Sequence, residues 1–222
     1  MTTFTTPAPI TAVVAVPAGN VRFIAADRAD TVVEIAPADP TKNRDIKAAE
    51  QTTVDCTDGV LRIQGPARNQ YFGPTGAVEA TIQLPAGSHV EVKTASIELR
   101  AVGRFGNVTV ASEHGSINLE EAAGARLTTV AGGVAVGRVT GPAEIRTSKG
   151  DIRITEAVRG SVTLRTDAGD ISVGAAAGVS ASLDAGTSHG RIRNSLKSAE
   201  NGADQLVIHA TTSAGDITAH SL

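Results

Sequence analysis

The sequence predicts an all-β protein: a parallel β-solenoid with coils of about 18 residues, preceded by an irregular β-rich N-terminal region that caps it. Three observations carry this. A small hydroxyl residue, two variable residues, a Gly and then a polar–apolar alternation recur six times, at residues 112–117, 129–134, 147–152, 166–171, 187–192 and 212–217. The glycines of these units, Gly115, Gly132, Gly150, Gly169, Gly190 and Gly215, step by 17, 18, 19, 21 and 25 residues. A second series, Gly106, Gly124, Gly141, Gly160 and Gly178, interleaves with the first, so each period holds two strands and two turns. Finally, 41% of the 222 residues are hydrophobic but only 2% are aromatic, which suits a narrow core of Val, Ile, Leu and Ala between flat strands.

Taken in order, residues 1–98 form the irregular N-terminal region and residues 99–222 the repeat. Ile10–Val16, Val21–Ala25 and Thr31–Ala36 alternate as strands, with a turn at Ala18-Gly19-Asn20. Pro37–Thr41 breaks the pattern, and Asp45–Gln51 has the composition of a short helix. Thr52–Cys56 and Val60–Ile63 flank Asp58-Gly59, a strong hairpin signal. Gly65–Gly76 reads as a loop, and Val78–Leu84 and Val90–Leu99 as further strands. Beyond Gly103 the positions two and four residues after most glycines are apolar, as in Ile117/Leu119, Ile152/Ile154 and Ile171/Val173, and the residues between them are polar or small. The two long steps near the C-terminus imply bulged loops around Asp184–Ser188 and Leu196–Asp204.

Hairpins every nine residues would make an antiparallel meander. A solenoid fits better, because only stacked coils give equivalent turns a reason to look alike. Thr129, Thr147, Thr166, Thr187 and Thr212, with Ser112, would then form a ladder able to bond turn backbone in adjacent coils.

These repeated Gly-Asp-Ile units with upstream Thr or Ser resemble the bacterial DUF4097 family, β-strand-repeat proteins that carry an adhesin label. Gly19-Asn20-Val21-Arg22, residues 27–35 with Pro37-Ala38-Asp39-Pro40, residues 48–52 and Gly190–Asn194 are similar to its actinobacterial members. The resemblance covers nearly the whole chain and implies a β-solenoid-like domain. It supplies no catalytic motif to transfer.

The net charge of -3 and the lack of a long Lys/Arg run leave no footprint for nucleic acid. No apolar run is long enough to span a bilayer and no secretory signal opens the chain, so no membrane insertion is expected and the expected compartment is the cytoplasm. Cys56 is the single cysteine, which excludes an internal disulfide and a CxxC metal site.

Asp151, Asp170 and Asp216 follow equivalent glycines, and a stacked carboxylate row could bind Ca²⁺. Ser116, Gly133 and Arg191 take that place in other coils, so turn chemistry is the stronger reading and no metal is assigned. His114 and His189 precede repeat glycines, His209 falls in a strand and His89 follows a loop, without zinc-ligand spacing. Ser or Thr beside Gly recurs throughout and singles out no nucleophile. No Walker-type loop occurs. The loop Arg68–Pro74 holds Tyr71 and Phe72, which either plug the solenoid or form an interaction loop.

The expectation is therefore a non-enzymatic β-repeat scaffold or protein-interaction module without cofactors. Its partner is a protein, self or other, and the C-terminal coil is the expected association surface of a homo-oligomer. The alternative is a ligand-binding, envelope-stress-sensing or adhesin-like module that uses a flat solenoid face. A polysaccharide-active solenoid enzyme would need a carboxylate pair at catalytic separation, and none stands out.

Overall fold

Alternating apolar residues in short segments can bury one face only by stacking strand on strand, and the chain does this in two compact units, Met1–Gly115 and Ser116–Leu222. The computed structural model describes residues 1–66, 76–197 and 205–222. Tyr71 and Phe72 lie outside the described residues.

The first unit contains β1 (Thr2–Thr5), β2 (Thr11–Ala15), β3 (Ala18–Ala26), β4 (Asp30–Pro37), α1 (Asn43–Gln51), β5 (Thr53–Thr57), β6 (Val60–Gln64), β7 (Val78–Pro85), β8 (His89–Lys93) and β9 (Ser96–Ala111). Parallel pairs build its coils. β2 lies between β6 and β8, and β3 lies between β7 and β9. The first parallel coil, β2–β3, is therefore an interior layer. Antiparallel strands cover the outer coil: β5 pairs with β6, β4 with β7, and β1 with β4. Asp58-Gly59 joins β5 to β6 with φ of 52° and 73°, the pair of positive values that a two-residue hairpin turn of type I′ requires.

Several boundaries differ from the sequence reading. Ala18-Gly19-Asn20 is not a turn but the start of β3. Gly19 runs against the backbone of Val78, where an added Cβ would sit 1.8 Å from the carbonyl oxygen, so the chain bends inside a paired strand. Val90–Leu99 is two strands, because the chain turns a corner at Thr94-Ala95 to pass from β2's stack to β3's. α1 begins at Asn43. Its N-cap residue Lys42 makes no side-chain cap; instead the buried Asp45 carboxylate accepts from the Ala77 backbone N–H at 3.0 Å and ties the helix to the sheet. β1 was not legible in the sequence.

The second unit contains β10 (Ile117–Ala131), β11 (Val134–Val139), β12 (Ala143–Lys149), β13 (Ile152–Ala157), β14 (Gly160–Ala168), β15 (Ile171–Ala175), β16 (Ser180–His189), β17 (Ile192–Ser195), β18 (Gln205–Ala214) and β19 (Ile217–Ser221). All its pairings among these strands are parallel. One stack runs β10, β12, β14, β18, β16, and the other runs β10, β11, β13, β15, β19, β17. β10 serves both stacks and bends at Gly124 without breaking, as β9 does at Gly106, so the expected turns at these two glycines are bent strand.

The stacking order is not the chain order. The last coil, β18–β19, is wedged between β14–β15 and β16–β17. The outermost coil is thus β16–β17, and the expectation that the C-terminal coil is the exposed association surface is corrected. Apolar content explains the order. Leu206, Ile208, Ala210, Ile217 and Ala219 are all fully buried between two neighbours, whereas β17 puts Asn194 in the place aligned with Ala219 and leaves Ile192 44% exposed. Asp184–Ser188, expected as a loop, is regular strand within β16. Of the second expected loop, residues 198–204 lie outside the described residues.

Candidate functional site

The repeat residues form three ladders. In the first, Thr129, Thr147, Thr166, Thr212 and Thr187 align across β10, β12, β14, β18 and β16. Thr147 donates its hydroxyl to the Gly132 carbonyl (3.2 Å), Thr166 to Gly150 (3.0 Å), Thr212 to Gly169 (3.1 Å) and Thr187 to Gly215 (3.1 Å). Each hydroxyl thereby satisfies a turn carbonyl one coil away. Thr129 is the exception: its buried hydroxyl has no hydrogen-bond partner. Ser112 bonds locally, to the His114 carbonyl at 2.7 Å.

The second ladder is glycine. A Cβ on Gly150, Gly169, Gly215 or Gly190 would lie 1.9–2.2 Å from the carbonyl oxygen of the glycine in the adjoining coil. Backbone packs on backbone here, and no side chain fits. Gly115, in the first unit, makes the same close approach to the Ile97 carbonyl, at 1.8 Å.

The third ladder is acidic. Asp151 Oδ1 accepts the Asp170 N–H (2.8 Å), Asp170 Oδ1 accepts the Asp216 N–H (2.8 Å), and Asp216 Oδ1 accepts the Arg191 N–H (2.9 Å). The row ends on a cation, with Arg191 Nε 3.5 Å from Asp216 Oδ2. Its carboxylates therefore already have ligands, the backbone of the next coil. Among the described residues no group of three or more His, Cys, Asp or Glu side chains is placed to hold a metal.

The remaining polar candidates are dispersed. His89 Nδ1 accepts the Asn107 N–H at 2.8 Å, and His209 Nδ1 lies 3.4 Å from Asp184 Oδ2 on an exposed face. Gly186-Thr187-Ser188-His189-Gly190 has the Gly-x-Ser-x-Gly spacing of a nucleophile elbow, a match the repeat pattern obscures. An elbow needs a sharp strand-to-helix turn, but Ser188 sits inside β16 and a strand follows. Cys56 lies half-buried on β5 beside a cleft of about 510 Å³ lined by Phe4, Pro7, Pro9 and Ile10 among others. Burial, then the neighbouring Asp55 carboxylate, pushes its thiol pKa up, which lowers its reactivity.

Some charges on the flat faces pair with each other. Glu144 bridges Arg126 (2.9 Å) and Arg146 (2.7 Å), and Arg138 lies 3.7 Å from Glu156. The surface that stands apart is the outer side of β16 and β17. Both pair on one side only among the described residues, and the residues aligned with buried neighbours are partly open to solvent. β16 is ten residues long and contains no Pro or Lys and a single formal charge, Asp184. Soluble proteins usually protect such an edge with charge, proline or a bulge.

Parallel coils, ladders of identical turn residues and a narrow aliphatic core define a β-solenoid repeat protein. The chain belongs to the DUF4097 family, described as Toastrack, whose match spans residues 13–221. Among solved structures it is similar to a candidate adhesin from Parabacteroides distasonis, with 12% identity over 98% of this chain and 95% of that one and a TM-score of 0.51. It is also similar to a candidate adhesin from Bacteroides fragilis, with 14% identity over 98% and 95% and a TM-score of 0.47. At such identities the likeness is one of fold. No curated protein matches the chain.

Proposed function

We propose that this protein is a non-enzymatic interaction module that binds a protein partner by strand addition to the outer edge of β16–β17. The observation that carries this reading is the unprotected ten-residue edge strand, paired on one side only among the described residues. Main-chain hydrogen bonds would supply affinity, and the half-open places around Leu183 and Ile192 would take apolar side chains of the added strand. The non-enzymatic part rests on the ladders, which engage the repeated hydroxyl and carboxylate groups in holding coils together. Ligand binding on a flat face is less well supported, because Arg126, Arg138 and Arg146 there are already paired with Glu144 and Glu156.

A labelled peptide copying residues 205–214 tests the reading directly, since that strand already pairs with β16 from the inner side. Saturable binding, with slowed amide exchange in β16 and loss of binding in Leu183→Lys, is the expected result. Absence of binding at a concentration where the chain is monomeric, or binding that Leu183→Lys leaves intact, refutes the edge.

A further inference from the structure

The distribution of charge along this edge identifies a partner: we infer that a second copy of the chain docks on it about a two-fold axis, with β16 of each copy antiparallel to β17 of the other. This rests on the strand-addition reading above and specifies its occupant. Asp184 is the one acidic residue of β16, 85% exposed on its side chain. β17 carries one charge, Arg193, and is flanked by Arg191 and Lys197, so this strand is basic. The open coil therefore has an acidic strand on one stack and a basic strand on the other.

A two-fold axis can join two such ends in two ways. Pairing like strands sets Asp184 against its own copy and Arg193 against its own, which places like charges in proximity at both strands. Pairing unlike strands sets Asp184 near the partner's Arg193 on the outward face, twice over by symmetry. In that antiparallel register Ala185 of one copy lies opposite Ile192 of the other, and Leu183 lies opposite Asn194 with Ile192 on the diagonal. Ser180, Ser182, Ser188, Asn194 and Ser195 are small and polar, so they place no bulk in the path of the incoming backbone. Among the described residues near the axis, His209 faces Asp184 from β18, and Arg191 is engaged by Asp216. Only two strands per copy meet, so the interface is small and the association weak.

Sedimentation equilibrium of the full chain from about 1 to about 300 µM, a range suited to a small interface, tests this. The wild type is expected to go from monomer to dimer. Asp184→Arg and Arg193→Asp should each weaken association by about tenfold, equivalent to about 1.4 kcal/mol, and the double variant should recover to within about threefold. A monomer at every concentration overturns the proposal, as does a dimer indifferent to both single variants or a double variant without recovery. The peptide experiment separates the two levels. If the wild type stays monomeric but the peptide of residues 205–214 binds, the edge takes strands and only the second copy is wrong. If neither associates, the strand-addition reading falls as well.

Discussion

At the residue scale the repeat is a set of main-chain contacts that only particular side chains permit. Thr166 and Thr129 occupy equivalent places, yet Thr166 bonds the Gly150 carbonyl and Thr129 bonds nothing. Thr166→Val keeps the shape and strands a buried carbonyl, and should lower stability by about 1–3 kcal/mol. Thr129→Val removes an unpaired buried hydroxyl and should be neutral or stabilising. Urea denaturation of both variants checks the contrast, and equal losses would contradict this account of the ladder. Gly169 has φ of 153° and no room for a Cβ against the Gly150 carbonyl. Gly169→Ala should cost more than about 2 kcal/mol in the same assay.

At the scale of elements, local chemistry places some segments and packing places others. The turn before α1 is held by Asp39, whose carboxylate accepts from the Thr41 hydroxyl (2.6 Å) and N–H (3.0 Å) and pairs with Lys42 (2.9 Å). The Thr41 hydroxyl, then Lys42 and the Thr41 N–H, hold the Asp39 carboxyl well below the usual carboxylate range. A carboxyl depressed in the folded state contributes stability above its unfolded pKa of about 3.9 and loses it as the pH falls further. Denaturation midpoints should therefore drop below about pH 4, and Asp39→Asn should flatten that part of the profile. The hairpin at Asp58-Gly59 was legible because the two residues themselves supply the positive φ values. The start of α1 was not, because the helix is anchored by Asp45 to Ala77, 32 residues away, and not by a local cap.

At the scale of the whole molecule, the first parallel coil of one unit and the last coil of the other are interior layers, each within its own unit: β2–β3 in the first and β18–β19 in the second. Such pairings join residues far apart in sequence, so folding should be slow for a chain of this size. It also means that β16–β17 cannot dock before the strands that follow it. Deleting residues 205–222 should therefore release β16–β17 as well. Amide exchange in residues 180–195 should become fast while residues 134–149 stay protected. Protection of β16 in the truncated chain would show that β16–β17 can stack directly on β14–β15 and would overturn the wedge.

The parallel solenoid, the coil length and the spacing of the ladders are written in the residues, since a stack of equivalent turns demands the same residue at the same place in every coil. The residues also hold one sign of the layer order: the inward row reads Val173, Ala219, Asn194 in space, and an asparagine belongs where the stack meets water. The order itself emerges when the coils pack. Every coil offers nearly the same parallel edge, so local pattern cannot tell which strand lies beside which, and the choice falls to burial summed over both neighbours. That choice placed the last coil inside and left β16–β17, with its acidic and basic strands, as the open edge.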